Sequence, residues 1–128
     1  MIVLDTGALV ALERNDRAMW TNLREAIKAD IAVVVPVGAL AQAWRGGPRQ
    51  ARLPRALADL EPASFDDSAL AAGELCGKAG TVDVIDASVA VVAVRAGATH
   101  LYTSDPEDLR RLLQAAGGRR RKPQIVSC

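Results

Sequence analysis

Four aspartates stand out in the sequence by what surrounds them. Asp5 closes the apolar run Ile2-Val3-Leu4, and Asp105 follows the run Thr99 to Thr103. Asp83 and Asp86 begin the most apolar helical stretch, Val82-Asp83-Val84-Ile85-Asp86-Ala87-Ser88-Val89. If the apolar runs are strands of a parallel sheet, ligands bind outside their carboxyl ends, and all four acids fall on that edge. Carboxylates gathered there repel one another unless a cation neutralises them. Hard divalent cations such as Mg²⁺ or Mn²⁺ take carboxylate and water oxygens. A site of this kind can stabilise a phosphodiester transition state without histidine. That matters in a chain with one histidine, His100, which excludes paired-histidine acid–base chemistry and His-rich zinc sites.

Each acid also has a plainer role open to it. Asp5-Thr6-Gly7 reads as a turn, Asp83 as a helix N-cap and Asp105 as the cap before Pro106. Asp86 fits such a role least well. It sits one helical turn beyond Asp83, on the same face of an otherwise apolar helix, where an unpaired carboxylate is costly to bury.

The elements that must position these residues alternate along the chain. Strands are expected at Ile2 to Leu4, Ile31 to Val35, briefly within Glu61 to Phe65, at Thr99 to Thr103 and at Gln124 to Val126. The first helix is expected over Ala8 to Leu12. A longer one, capped by Asn15 or Asp16, runs through Lys28 with Met19, Leu23, Ala26 and Ile27 facing the core. Val37 to Trp44 reads as helix and is broken at Gly46-Gly47-Pro48. Pro48 opens a further helix to about Leu60, distorted at Pro54. Asp66 or Asp67 caps a helix through Lys78, and helices follow over Asp83 to Arg95 and Pro106 to Ala115. This alternation predicts a single α/β domain over 1–128, with a central, mostly parallel sheet of four to five strands flanked by helices.

Composition narrows the function classes. A chain of 128 residues, half of them hydrophobic, buries enough surface to fold without disulfides. Aromatics are only 3%, so Ala, Val and Leu must fill the core; Trp20 and Trp44 could stack on nucleic-acid bases, but with so few aromatics core packing is expected of them. The net charge is +1, which excludes a generic polycation, so any nucleic-acid surface must come from local clustering. No apolar run reaches a membrane span of about 20 residues and the start lacks a basic leader. With Cys76 and Cys128 too few and too far apart for a metal motif, a reduced, cytoplasmic protein is expected.

Met1-Ile-Val-Leu-Asp-Thr-Gly-Ala-Leu-Val10, Asp83-Val-Ile-Asp-Ala-Ser88 and Thr103-Ser-Asp-Pro-Glu-Asp-Leu109 resemble, in order and spacing, three acidic motifs of PIN-domain nucleases. The likeness is greatest to VapC-type toxins of toxin–antitoxin pairs. It implies a PIN-like domain with Mg²⁺- or Mn²⁺-dependent endoribonuclease activity, a homodimer, and inhibition by a small antitoxin protein. Asp5, Asp86 and Asp105 then take the metal-binding catalytic positions, with Thr6, Thr103 and Ser104 as hydroxyl contacts around them. One position departs from the pattern: within Leu40-Ala-Gln-Ala-Trp-Arg-Gly-Gly47, Gln42 stands where the family usually has glutamate. An amide is neutral and cannot act as a base. Asp83 supplying the missing carboxylate, a weakened site, or a substitution are the three explanations, and the first is favoured because Asp83 lies one turn from Asp86. A weakened site would leave a binding module in place of an enzyme.

Arg45, Arg49, Arg52 and Arg55 follow directly, at spacings of 4, 3 and 3 that place them on one helical face if the helix survives Pro54. They are either a track for an RNA backbone or a solvated face. Arg119-Arg120-Arg121-Lys122 is a denser basic block, expected in a loop, usable for phosphate or an acidic protein segment. A phosphoacceptor receiver domain shares this size and fold class. It is disfavoured by a single acid after the first strand and by Lys122, the lone late lysine, lying beside Pro123. Ser88 has no histidine near it in sequence to form a triad.

Overall fold

Val3 and Leu4 are wholly buried at the centre of the molecule, in the strand β1 (Ile2–Leu4). The computed structural model describes all residues, 1–128, and arranges them around a five-stranded sheet. After β1 come α1 (Thr6–Glu13), α2 (Arg17–Lys28), β2 (Val33–Pro36) and α3 (Val37–Ala43). A 3-10 turn (Pro48–Gln50), α4 (Arg52–Leu57), β3 (Glu61–Ala63), α5 (Ala69–Ala79) and α6 (Val84–Arg95) follow. The chain ends with β4 (His100–Thr103), α7 (Pro106–Ala116) and β5 (Gln124–Ser127).

The strand order is β3-β2-β1-β4-β5, and every pair is parallel. The chain moves outward from β1 to β2 and β3, then returns to the other side of β1 for β4. That reversal opens a crevice between the carboxyl ends of β1 and β4, where parallel sheets bind ligands.

Alternation along the strands sends side chains to two separate cores. Ile2, Leu4, Val33 and Val35 pack with Leu9, Leu12, Leu23 and Leu53 on the α1, α2 and α4 face. Val3, Val34 and Leu101 pack with α5, α6 and α7 on the other, where Ala87, Ala90 and Ala93 let α6 lie close to the sheet. Burial on both faces accounts for the uninterrupted apolar strands. The α/β domain expected from the sequence is present, with five strands, all parallel.

Several local expectations need correction. Asp5-Thr6-Gly7 is not a free turn: α1 starts at Thr6, and the Asp5 carboxylate accepts the Thr6 N–H. Gly7 is required by contact, since a Cβ there would lie 2.2 Å from Ser104 Oγ and 2.6 Å from its backbone nitrogen. Asp16, not Asn15, caps α2 through Met19 N, while Asn15 takes a left-handed conformation in the turn before it. Ile27 and Ile31 are exposed, the first off the core stripe and the second ahead of β2. Asp66 and Asp67 lie in a turn, and α5 begins after Ser68, whose hydroxyl bonds the Phe65 carbonyl.

The single helix expected from Pro48 is divided. Gly46 and Gly47 hold positive φ, and only a 3-10 turn and the short α4 follow. Pro54 falls in the first turn of α4, where its missing N–H has no helical partner to lose. Buried Gln50 fixes this stretch: its Oε1 accepts from Arg45 N and Gly46 N, and its Nε2 donates to the Ala43 carbonyl. Trp44 is 42% exposed and not in the core; Trp20 is half-buried, its Nε1 bonding the Leu12 carbonyl.

Candidate active site

The crevice between β1 and β4 widens into a cleft of about 640 Å³. Five aspartates line it, Asp5, Asp16, Asp83, Asp86 and Asp105, together with Thr6, Gln42, Ser104 and one cation, Arg14. All four aspartates singled out in the sequence are therefore brought to one place, from three separate stretches of the chain.

Asp5 is the best-anchored member. It is 3% exposed, its Oδ1 accepts from Thr6 N at 2.7 Å and its Oδ2 from Thr103 Oγ1 at 2.8 Å. Thr103 is itself fully buried at the end of β4 and also receives a bond from Asp105 N at 3.0 Å. One hydroxyl thus ties β1 to the loop that carries Asp105. Burial raises the Asp5 pKa, and the hydrogen bonds from Thr103 and Thr6 oppose that rise.

The other acids are less well satisfied. Asp83 caps α6, its Oδ1 accepting from Asp86 N at 3.0 Å, so the capping role is real and leaves its second oxygen free at the cleft. Asp86 is half-buried one turn along. Desolvation first, and then the charges of Asp5 and Asp83, push its pKa up to about 7. Asp105 is also raised, by desolvation and then by Asp108. Carboxylate oxygens of Asp86, Asp105 and Asp108 lie within 4.8 Å of one another. Oxygen donors crowded this closely, and paired with no cationic side chain from the protein save the Arg111 bond to Asp108, suit a hard divalent cation.

Asp108 escaped the sequence reading because an acid in the first turn of α7 looks like an ordinary dipole-complementing residue. The Asp105-Pro-Glu-Asp108 spacing, one helical turn, was the available sign. Gln42 does face the cleft, at the end of α3, and its Oε1 accepts from Thr6 Oγ1 at 2.8 Å. Thr6 also lies 3.2 Å from the Ala39 carbonyl, tying α1 to α3 beside the acids. Ser104 is at the rim, pressed against Gly7. Cys128 reaches the same cleft, where desolvation and the charges of Asp5 and Asp16 push its thiol up to about 11. It stays protonated at neutral pH, so no thiolate nucleophile is available.

The four arginines are exposed, but not on one helical face. Arg45 lies beyond α3, with its guanidinium on the Trp44 carbonyl; Arg49 is in the 3-10 turn, and Arg52 and Arg55 are in α4. None of them lines the cleft. The basic block after Gly118 is elsewhere again. Arg119 and Arg120 join Lys78 and Arg95 around a groove of about 420 Å³ between α5, α6 and the end of α7. Nine residues of α6 separate Arg95 from Asp86, roughly 14 Å along the axis.

Residues 2–112 match the family model of the PIN domain. The chain belongs to the PIN-domain family. The backbone of this PIN domain is also similar to a chain in the crystal structure of VapBC2 from Rickettsia felis bound to a DNA fragment from their promoter. The TM-score is 0.70 at 20% sequence identity, covering 100% of this chain and 99% of that one. At that identity the likeness is one of fold. No curated protein matches this PIN domain in sequence. No helix in it is long and apolar enough to cross a membrane.

Proposed function

We propose that this PIN domain is a Mg²⁺- or Mn²⁺-dependent endoribonuclease, the toxin of a toxin–antitoxin pair. The observation that carries the reading is the approach of the Asp86, Asp105 and Asp108 oxygens within 4.8 Å of one another, beside a buried Asp5. Asp86 and Asp105 would hold the ion, with Asp5, Asp83 and Asp108 completing the negative field. A bound ion of this class supplies Lewis-acid polarisation of phosphodiester oxygens and activates water at neutral pH.

The protein's own groups have distinct tasks. Thr103 and the Thr6 N–H fix both oxygens of Asp5, so that carboxylate is preorganised and needs no rearrangement during reaction. Asp86, held by burial and neighbouring charges at a pKa of about 7 in the metal-free site, would give up its proton to hold the ion. Thr6 positions the Gln42 amide, and Ser104 stands at the rim as a hydroxyl contact for substrate. The fold likeness to a chain of a VapBC2 complex supports a small antitoxin protein as partner; a homodimer and a cytoplasmic setting follow from the resemblance of the motifs to VapC-type toxins.

Gln42 favours a second reading, an RNA- or protein-binding PIN module with a weakened site. Its carbonyl oxygen is already engaged by Thr6, and an amide brings no charge to a cation. The two readings part in one assay: cleavage of labelled total RNA by purified protein in Mn²⁺, Mg²⁺ or EDTA. The nuclease requires cuts that depend on the ion. RNA that is bound but left intact at stoichiometric protein would establish the binding module instead.

A further inference from the structure

Arg14 is the one cationic side chain lining the acidic cleft. Five aspartates share that lining, yet Arg14 pairs with none: the ion pairs of the molecule are Lys28–Glu25, Arg110–Glu107 and Arg111–Asp108. Its side chain is exposed and makes no hydrogen bond within the protein, so its donors are free for a ligand. A guanidinium kept beside carboxylates without pairing to them is not accounted for by stability.

The backbone beneath it is held firmly. Arg14 is the C-cap of α1, with its N–H bonded to the Val10 carbonyl. Asn15 N bonds the Leu12 carbonyl at 3.1 Å and Asp16 N the Ala11 carbonyl at 2.9 Å. With Asn15 at φ 62°, this is a Schellman closure in which a left-handed residue satisfies the last carbonyls of the helix. Asp16 then caps α2 at once, and Trp20 Nε1 adds a second bond to the Leu12 carbonyl. The turn between α1 and α2 is therefore a stiff platform that sets Arg14 at the lip of the cleft.

We propose that Arg14 binds a backbone phosphate of the RNA strand, so that the strand enters the acidic cleft over the turn between α1 and α2. The proposal rests on the nuclease reading and adds the path of the substrate. An acidic cleft repels a polyanion, and a bound divalent ion offsets only part of that charge. The planar guanidinium fork matches two phosphate oxygens at once, which a lysine ammonium cannot do. The Arg45 to Arg55 segment, the sequence's own candidate for this task, does not line the cleft.

The test is the affinity of a fluorescein-labelled single-stranded RNA pool, by anisotropy in Ca²⁺ across a salt series, with RNA integrity checked on a gel. Arg14→Ala should weaken binding about tenfold. It should also flatten the salt dependence by about 0.7 in log–log slope, the loss of one phosphate contact on a single strand. Arg14→Lys should keep the slope and recover part of the affinity. Mn²⁺ affinity of Arg14→Ala, measured without RNA, should be unchanged or tighter, since a positive charge has left the site. A wild-type slope and affinity in Arg14→Ala would overturn the proposal and leave the nuclease reading standing. Loss of Mn²⁺ affinity in parallel would overturn it by showing a structural role. If the wild type shows no salt-sensitive RNA binding, the nuclease reading falls, and the proposal falls with it.

Discussion

The two sides of the cleft hold their carboxylates in opposite ways. At the end of β1, Asp5 is buried with both oxygens accepting hydrogen bonds, one from Thr6 N and one from Thr103 Oγ1. Across the cleft, Asp86, Asp105 and Asp108 crowd together on the starts of α6 and α7, and desolvation, followed by the charges of Asp5 and Asp83, holds Asp86 at a pKa of about 7. The first side is complete as folded; the second is complete only with protons or a cation. One fold thus supplies a fixed reference carboxylate and, facing it, a set of acids whose charge is left for a ligand to satisfy.

The largest effect that would break this comparison is expected at Asp86. Asp86→Asn should lower metal-dependent RNA cleavage by on the order of 10³ or more, since stabilisation worth several kcal/mol is lost. The same substitution should raise the Tm of the metal-free protein at pH 8, because it removes a carboxylate that the fold resists ionising. Asp5→Ala should do the reverse to stability. It strips the buried Thr103 hydroxyl of its acceptor and should cost roughly 1–3 kcal/mol in denaturant unfolding. If both variants destabilise alike, the contrast between the two sides is wrong.

Gly7→Ala addresses the seam between them. Its Cβ would collide with Ser104, so α1 or the loop after β4 must move, at about 1–3 kcal/mol. Thermal unfolding measures that cost, and cleavage should fall with it because Asp105 adjoins Ser104.

The pH dependence sharpens the contrast further. The Asp86 pKa is raised from its ordinary value near 4 to about 7, so between those values the native state binds more protons than the unfolded state. Stability of the metal-free protein should therefore decline as pH rises from about 4 to about 7, then level off above it. Millimolar Mn²⁺ should stabilise strongly at pH 8 and little at pH 5, which a Tm series at both pH values measures. The smallest effect is expected from Gln42→Glu, which adds one partly exposed charge to the cleft. Mn²⁺ affinity should rise about fivefold to tenfold, by roughly 1 kcal/mol in calorimetry. No gain would mean that Asp83 and Asp108 already supply the charge.

Much of this was legible in the residues. Uninterrupted apolar strands and helix caps predicted a parallel α/β sheet, and acids at the ends of β1 and β4 marked the edge where the acidic cleft lies. The rest depended on contacts between distant segments. Gly7 read as a turn residue because its reason, the closeness of Ser104, lies 97 positions away. Arg14 carries no motif in the sequence, and only the Asn15 turn sets it at the cleft. The arginines from Arg45 to Arg55 shared a helical spacing, but Gly46, Gly47 and the buried Gln50 broke the helix that the spacing assumed.

The central claim is that the crowded acids form one divalent-cation site. Calorimetric titration of Mn²⁺ into the metal-free protein, in buffers of different ionisation enthalpy at pH 7, tests it most directly. The account predicts saturable binding, release of a fraction of a proton per ion as Asp86 ionises, and loss of both in Asp86→Asn. Absence of saturable binding, or binding with no proton release that survives in Asp86→Asn, would contradict it.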